Sequence, residues 1–304
     1  MPTDPSHTPS ILSGKTLRKL EQLELVTIKR TKSSLKGERL SNSRGQSVEF
    51  ADYRNYSPGD DLRYLDWNLF GRLDKLFVKL YEEEREFPVK IILDSSESMG
   101  FGEPKKFDYA KSLCAALGYL TLANFDRLQV EIFPPENCPQ KTHNQIKNLR
   151  GKGHGLAFLR SLQNINFGGN GSLDSCINRI ASTRGPKGAV FILSDFMEPP
   201  AFLESLKKLA GVGHSLILIH ILSPQETHPD FKGDLKLVDS ESGAAQEVSF
   251  GKARMKAYQK MLSGFCAQIS EAAQKTGSEY IRCQSDQDLD KFLFYKLRQA
   301  GVIG

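Results

Sequence analysis

Three oxygen-bearing side chains alternate in Asp94-Ser95-Ser96-Glu97-Ser98, directly after the apolar run Val89-Lys90-Ile91-Ile92-Leu93. In an extended or tightly turned segment Asp94, Ser96 and Ser98 converge on one side. About a hundred residues later, Gly188-Ala189-Val190-Phe191-Ile192-Leu193 ends in the same manner, in Ser194-Asp195. Two carboxylates beside hydroxyls form a hard, all-oxygen set. Such a set suits Mg²⁺ or Mn²⁺, which keep several waters and leave a position open for an external oxygen ligand. No His or Cys lies nearby in sequence, which argues against zinc. The alternative for both aspartates is structural, since a carboxylate at a strand end also caps the following turn by accepting backbone N–H groups.

For the two carboxylates to meet, their strands must end on one edge. Apolar runs with β-branched members suit strands covered on both faces of a parallel sheet, and all such strands present their carboxyl ends together. That edge is where open α/β sheets bind ligands. From Val89 onward strand-like and helix-like segments alternate, as in a sheet with crossover helices. Pro104 opens a long helix to about Phe125 with Leu113, Leu117 and Leu120 toward the sheet; Arg127–Phe133 is a strand; Glu136–Gly155 reads as a surface excursion. Helices are expected over Leu156–Gln163, onward from Ser172 to about Ser182, and over Phe202–Leu209. His214–Leu222 is another buried strand, Leu235–Phe250 a hairpin around Glu241-Ser242-Gly243, and Lys252–Thr276 the longest helix. Glu279–Cys283 and Asp288–Gln299 close the chain as strand and helix. His214 and His220 fall on a strand and read as packing residues.

Ahead of this region, residues 1–12 read as a disordered tail and 13–87 as an N-terminal extension, leaving 88–304 as the main domain. Ser13 caps a short helix marked by Leu17, Leu20 and Leu23, and Lys32–Gly45 reads as a loop. Val48–Asn68 is the densest polar-aromatic run and holds the single tryptophan. Pro58-Gly59 marks a turn, Asp60 or Asp61 caps a short helix, and Arg54 and Arg63 among Asp52, Asp60, Asp61 and Asp66 invite Arg–carboxylate pairs. Arg54, Asp60, Asp61, Arg63, Asp66 and Trp67 serve either as a clamp on an irregular segment or as a partner-docking surface. Lys75–Glu82 alternates as a half-buried strand.

Composition sets the outer limits. The five cysteines are odd in number and lack a close pair, against both a disulfide framework and a zinc site. The N-terminus has no basic-then-apolar signal and no apolar run reaches membrane length, so a cytoplasmic protein without a membrane span is expected. Net charge is +5, but Gly14–Arg44 carries nine Lys or Arg against three Glu. This arm suits phosphate or an anionic surface, although no aromatic residues interleave as a nucleic-acid platform requires.

Asp94-Ser95-Ser96-Glu97-Ser98 resembles the Asp-x-Ser-x-Ser motif of von Willebrand factor A domains. The metal-ion-dependent adhesion site of that family adds a Thr from a second loop and an Asp from a third. Asp195 resembles the third-loop residue. In Gly168-Gly169-Asn170-Gly171-Ser172-Leu173, Gly171 stands where the Thr belongs, leaving Asn170 or Ser172 as possible second-loop contacts. The pattern Gly45, Glu49-Phe50, Arg54-x-Tyr56-x-Pro58-Gly59-Asp60-Asp61-x-Arg63, Asp66-Trp67, followed by this domain, is similar to the bacterial family catalogued as domain of unknown function 58.

The resemblance implies an α/β fold with a doubly wound, mostly parallel central sheet flanked by helices, plus an N-terminal irregular or β extension. It also implies association with a MoxR-type AAA+ ATPase. The resulting expectation is a non-enzymatic interaction module in which Asp94, Ser96, Ser98 and Asp195 hold Mg²⁺ or Mn²⁺ and a protein ligand supplies an Asp or Glu. Neither a small-molecule substrate nor nucleic acid is expected. The alternatives are a metal-dependent phosphoester hydrolase using the same carboxylates, and binding of an anionic polymer or membrane surface through the basic arm.

Overall fold

The computed structural model describes residues 11–26, 48–83, 87–134, 145–169, 171–197, 202–229, 233–238, 245–250 and 252–304. The chain divides into two compact units, one of Gly37–Glu86 and one of everything else.

In chain order the elements are α1 (Gly14–Leu20), β1 (Val48–Asn55), a 3₁₀ turn (Leu62–Tyr64), α2 (Trp67–Leu73), β2 (Phe77–Glu83), β3 (Pro88–Asp94), a 3₁₀ turn (Glu97–Gly100) and α3 (Lys106–Ala123). They continue with β4 (Arg127–Phe133), β5 (Gln145–Arg150), α4 (Gly155–Gln163), α5 (Leu173–Ser182), β6 (Ala189–Ser194), α6 (Phe202–Gly211), β7 (Ser215–Leu222) and α7 (Pro224–Thr227). β8 (Gly233–Val238), β9 (Ala245–Phe250), α8 (Lys252–Lys275) and β10 (Glu279–Gln284) follow, and the chain closes on a helical turn (Leu289–Lys291) that runs into a π-helical segment (Phe292–Leu297).

The larger unit is the expected doubly wound sheet, in the order β10-β7-β6-β3-β4-β5. All neighbours are parallel except β4 and β5. Period-two alternation assigns each strand's residues to two cores. Val89, Ile91 and Leu93 of β3, with Phe191 and Leu193 of β6 and Ile217, Ile219 and Ile221 of β7, pack with α3, α4 and the C-terminal segment. Ile92, Val190, Ile192, Leu216 and Leu218 turn the other way, against α5, α6 and α8. Each side chain so buried contributes roughly 1.5–3 kcal/mol, and this two-sided burial holds β3 and β6 side by side in parallel register.

Several expectations need correction. The stretch Glu136–Gly155 is not all excursion, because Gln145–Arg150 forms the antiparallel edge strand β5. An edge strand of this kind buries one face, here through Ile146, so its sequence is polar enough to read as a loop. The long helix starts at Lys106 rather than at Pro104, and the closing helix becomes a π segment. The short helix expected after Asp60 or Asp61 is divided by Leu65, which is extended, buried and bridged to Val78. Asp61 therefore caps only the 3₁₀ turn, while Asp66 caps α2 through Asn68 and Leu69 N–H.

Helix α1 forms as expected, with Ser13 Oγ accepting from Thr16 N–H at 3.1 Å. It belongs to the larger unit, however, not to an extension over 13–87. Leu12 and Leu20 enter the same core as α3, Leu25 bridges to Ile303, and Tyr119 Oη of α3 donates to Glu21 at 2.7 Å. Within the tail, residues 1–10 lie outside the described residues, as do the loop Lys32–Gly45 and the turn Glu241–Gly243.

In the smaller unit β1 and β2 pair antiparallel, with a bulge between Phe50 and Asp52. Among the described residues, Cys114, Cys176, Cys266 and Cys283 are free and buried. Burial pushes the Cys114, Cys176 and Cys283 thiols upward in pKa, Cys176 to about 11 and Cys283 to about 12. No helix among the described residues is long and apolar enough to cross a membrane.

Candidate functional site at the tips of β3 and β6

The first loop is tied down before its polar groups are placed. Ser95 N–H and Oγ both donate to the Phe133 carbonyl, at 2.7 and 2.9 Å, fastening the β3 tip to the end of β4. Ser95 carbonyl accepts from Gly168 N–H at 2.8 Å and Glu97 N–H donates to the Gly169 carbonyl at 3.1 Å. Two backbone hydrogen bonds thus lace the second loop to the first. A side chain at Gly100 would collide with the Phe167 ring, at 2.2 Å from a built Cβ, so only glycine admits this approach.

Asp94, Ser96, Ser194 and Asp195 are all nearly buried. Ser96 N–H and Oγ donate to Asp94 Oδ1 at 2.9 and 2.6 Å, and the Ser96 and Ser98 hydroxyls lie 3.1 Å apart. Ser194 Oγ, on the neighbouring tip, donates to Asp94 Oδ2. The expected convergence of Asp94, Ser96 and Ser98 is present, with Asp195 close enough for its charge to act on Asp94. Burial, and then the Asp195 charge, raise the Asp94 carboxyl to about 7 against the opposing hydrogen bonds from Ser194 and Ser96.

Sequence reasoning missed the cation at this site. Lys106, the first residue of α3, is 1% exposed and its ammonium donates to Asp195 Oδ2 at 2.7 Å and to Glu226 Oε1 at 2.6 Å. Burial works against that ammonium, but the two carboxylates outweigh it and hold its pKa above the ordinary lysine value. Glu226 is itself fixed by a capping box on α7: its Oε2 accepts from Ser223 N–H while Ser223 Oγ accepts from Glu226 N–H. The signals were present in the sequence. Lys106 stands four, seven and eleven residues before Ala110, Leu113 and Leu117, on the buried stripe of α3, and Ser223-Pro224-Gln225-Glu226 has capping-box spacing.

The second loop contributes no described ligand. Asn170 lies outside the described residues. Ser172 is exposed and its Oγ caps α5, accepting from Ser175 N–H at 3.2 Å. At Gly171 a Cβ would stand 3.0 Å from Pro134 Cγ and 3.1 Å from Phe133 Cδ2, so there is little room for the absent threonine.

The donor chemistry nevertheless fits a divalent cation. Asp195 and Glu226 share the one ammonium, Asp94 is buried close enough to Asp195 for their charges to repel, and the Ser96 and Ser98 hydroxyls stand beside Asp94, so the cluster holds more carboxylate than ammonium. Charge left uncompensated in a buried site is costly, and a hard divalent ion with oxygen preference balances it. Among the described residues no three carboxylate, imidazole or thiol groups form a metal cage, so hydroxyls would supply part of the ligation.

In the smaller unit Arg54 pairs with Asp60 at 2.8 Å and Arg63 with Asp61 at 2.5 Å, both near the surface. Asp66 is different: it is buried, caps α2, and takes Tyr53 Oη at 3.0 Å and Lys79 at 3.1 Å. These partners hold its carboxyl near 2, the α2 backbone N–H of Leu69 foremost. Asp66 is therefore a clamp, whereas Trp67 is 63% exposed and meets Phe70 edge-on.

Fold and tip together define a doubly wound α/β domain with an aspartate–serine site on the carboxyl edge of its sheet, the arrangement that the resemblance to von Willebrand A domains implied. The chain belongs to the family described as protein of unknown function DUF58, whose family model matches residues 52–263. It is 26% identical to the uncharacterised protein Rv1480 of Mycobacterium tuberculosis over 309 residues, covering 98% of this chain and 96% of that one. An uncharacterised Mycobacterium avium protein, MAV169, is 24% identical over 45% of this chain and 81% of its own length. Among solved structures, an aerotolerance-related membrane protein from Bacteroides fragilis is similar with a TM-score of 0.43 at 17% identity, covering 71% of this chain and 98% of that one. BatB from Bacteroides thetaiotaomicron gives 0.42 at 14% identity over 70% and 98%. A von Willebrand factor type A protein from Catenulispora acidiphila gives 0.33 at 18% identity over 48% and 35%.

Proposed function

We propose that this chain is a protein-interaction module that works with a MoxR-type AAA+ ATPase and docks an acidic partner residue at the tips of β3 and β6. Asp94, Ser96 and Ser98, with Asp195 behind them, would hold Mg²⁺ or Mn²⁺, and the bound ion supplies a Lewis-acid position for a partner Asp or Glu. The observation that carries this reading is the convergence of the Ser96 and Ser98 hydroxyls beside Asp94, in a buried cluster where Asp195 and Glu226 share a single ammonium. The ATPase partner rests on the family resemblance. The exposed Trp67 and Phe70 of the smaller unit support a second, apolar contact, because aromatic residues anchor interfaces.

A pull-down of the ATPase by the full chain tests the proposal. Capture is expected with Mg²⁺, and loss with EDTA or with Asp94→Ala. Capture that survives both treatments refutes the metal-dependent docking.

A further inference from the structure

We infer that Lys106 is an internal rival of the divalent cation: it holds Asp195 in an ion pair, so the ion is gripped from the β3 side alone and binds weakly. This inference rests on the metal reading above. Both Asp195 oxygens are already engaged, Oδ2 by the Lys106 ammonium at 2.7 Å and Oδ1 by Met197 N–H at 3.1 Å. The partners of Asp94 are of another kind. Two of its three donors are hydroxyls, from Ser96 and Ser194, which can rotate their protons away and offer lone pairs to a cation.

Lys106 has no such freedom. Its ammonium is 1% exposed, packed near the Phe101 ring, and anchored on its second side by Glu226. Glu226 is in turn held by the α7 capping box and by Tyr258 Oη of α8, which donates to the Glu226 carbonyl at 3.0 Å. Removing the ammonium from Asp195 would leave a buried charge unpaired, a strongly unfavourable state. A cation entering the tip therefore meets a carboxylate already neutralised and a fixed positive charge behind it. With the second-loop hydroxyl also missing at Gly171, the resting tip is a low-affinity site, completed when a partner brings its own carboxylate.

The test is calorimetric titration of the full chain with Mg²⁺ and with Mn²⁺, beside thermal melts with and without each ion. The variants are Lys106→Met and the double variant Lys106→Met/Glu226→Gln. The double variant keeps the net charge of the cluster and frees Asp195, so simple charge predicts wild-type affinity for it and rivalry predicts tighter binding. We expect affinity at least tenfold tighter than wild type in the double variant, and a melting temperature that rises with the metal more than in wild type. If Lys106→Met does not fold alone, the double variant decides. Wild-type binding with no tightening in the double variant overturns the rivalry and leaves the metal site standing. Absence of binding in wild type and variants alike overturns both.

Discussion

Ser194 Oγ donates to Asp94 Oδ2 at 2.5 Å, joining the tips of β6 and β3 through side chains a hundred residues apart in the chain. The same oxygen accepts from Phe196 N–H at 2.8 Å, so one hydroxyl satisfies a buried carboxylate and a buried amide. Ser194→Ala strands both, and a stability loss of about 1–3 kcal/mol is expected. Ser194→Thr, which keeps the hydroxyl, is expected to recover most of it. Urea denaturation measures this, and a loss below about 0.5 kcal/mol for the alanine variant counts against the assignment.

His220 supplies a pH dependence of known sign. Burial, chiefly, lowers its pKa to about 4, and its ring is enclosed by Phe196, Phe265 and Tyr280. The unfolded chain takes up this proton near 6.5 and the folded chain near 4, so stability from this residue is complete above 6.5 and falls as pH drops toward 4, by at most about 3 kcal/mol. Asp94 runs the opposite way, since its raised carboxyl costs stability as pH rises from about 4 to 7. The informative quantity is therefore the difference between wild type and His220→Phe. Denaturation at pH 5 and pH 7.5 should show a smaller acid loss in the variant; equal losses refute the account.

Gly171 tests how tightly the second loop is closed. Its backbone is not in the left-handed region, so the penalty for a side chain is steric alone, from Pro134 and Phe133. Gly171→Ala is expected to cost about 1 kcal/mol, against less than about 0.5 kcal/mol for Gly185→Ala, where nothing stands within 4 Å. Thermal melts of the two variants side by side decide it, and equal melting temperatures would reject the closure.

Trp67 and Phe70 separate docking from folding. Trp67 is well exposed and Phe70 lies on the same helix face three residues on. Trp67→Ala with Phe70→Ala should reduce ATPase capture at least tenfold while leaving the melting temperature within about two degrees. Asp66→Ala should instead unsettle α2, because it removes the cap and the partner of Tyr53 and Lys79. Undiminished capture by the double alanine variant removes the docking role.

The sheet was largely readable because its strands are buried on both faces: Ile91-Ile92-Leu93 and Phe191-Ile192-Leu193 have no polar interruption, and their ends announce the site. The edge strand β5 was not readable, since Lys147 and Asn148 interrupt its apolar residues. The convergence of Asp94, Ser96 and Ser98 followed from alternation alone. Lys106 escaped because a lysine at a helix start is ordinarily solvated; its burial depends on Asp195 and Glu226, which come 89 and 120 residues later. Membership of α1 in the larger unit was equally hidden, for its partners Tyr119 and Asp290 lie far along the chain.

The four buried thiols among the described residues give the molecule a clock of its own. Cys114 on α3 and Cys283 on β10 belong to one core, Cys176 on α5 belongs to the other, and Cys266 is buried on α8. Alkylating reagents attack thiolates, and at neutral pH those sulfurs react only when their own layer opens. The order in which mass labels appear at 114, 283, 176 and 266 would therefore record which side of the sheet parts first, with no engineered probe.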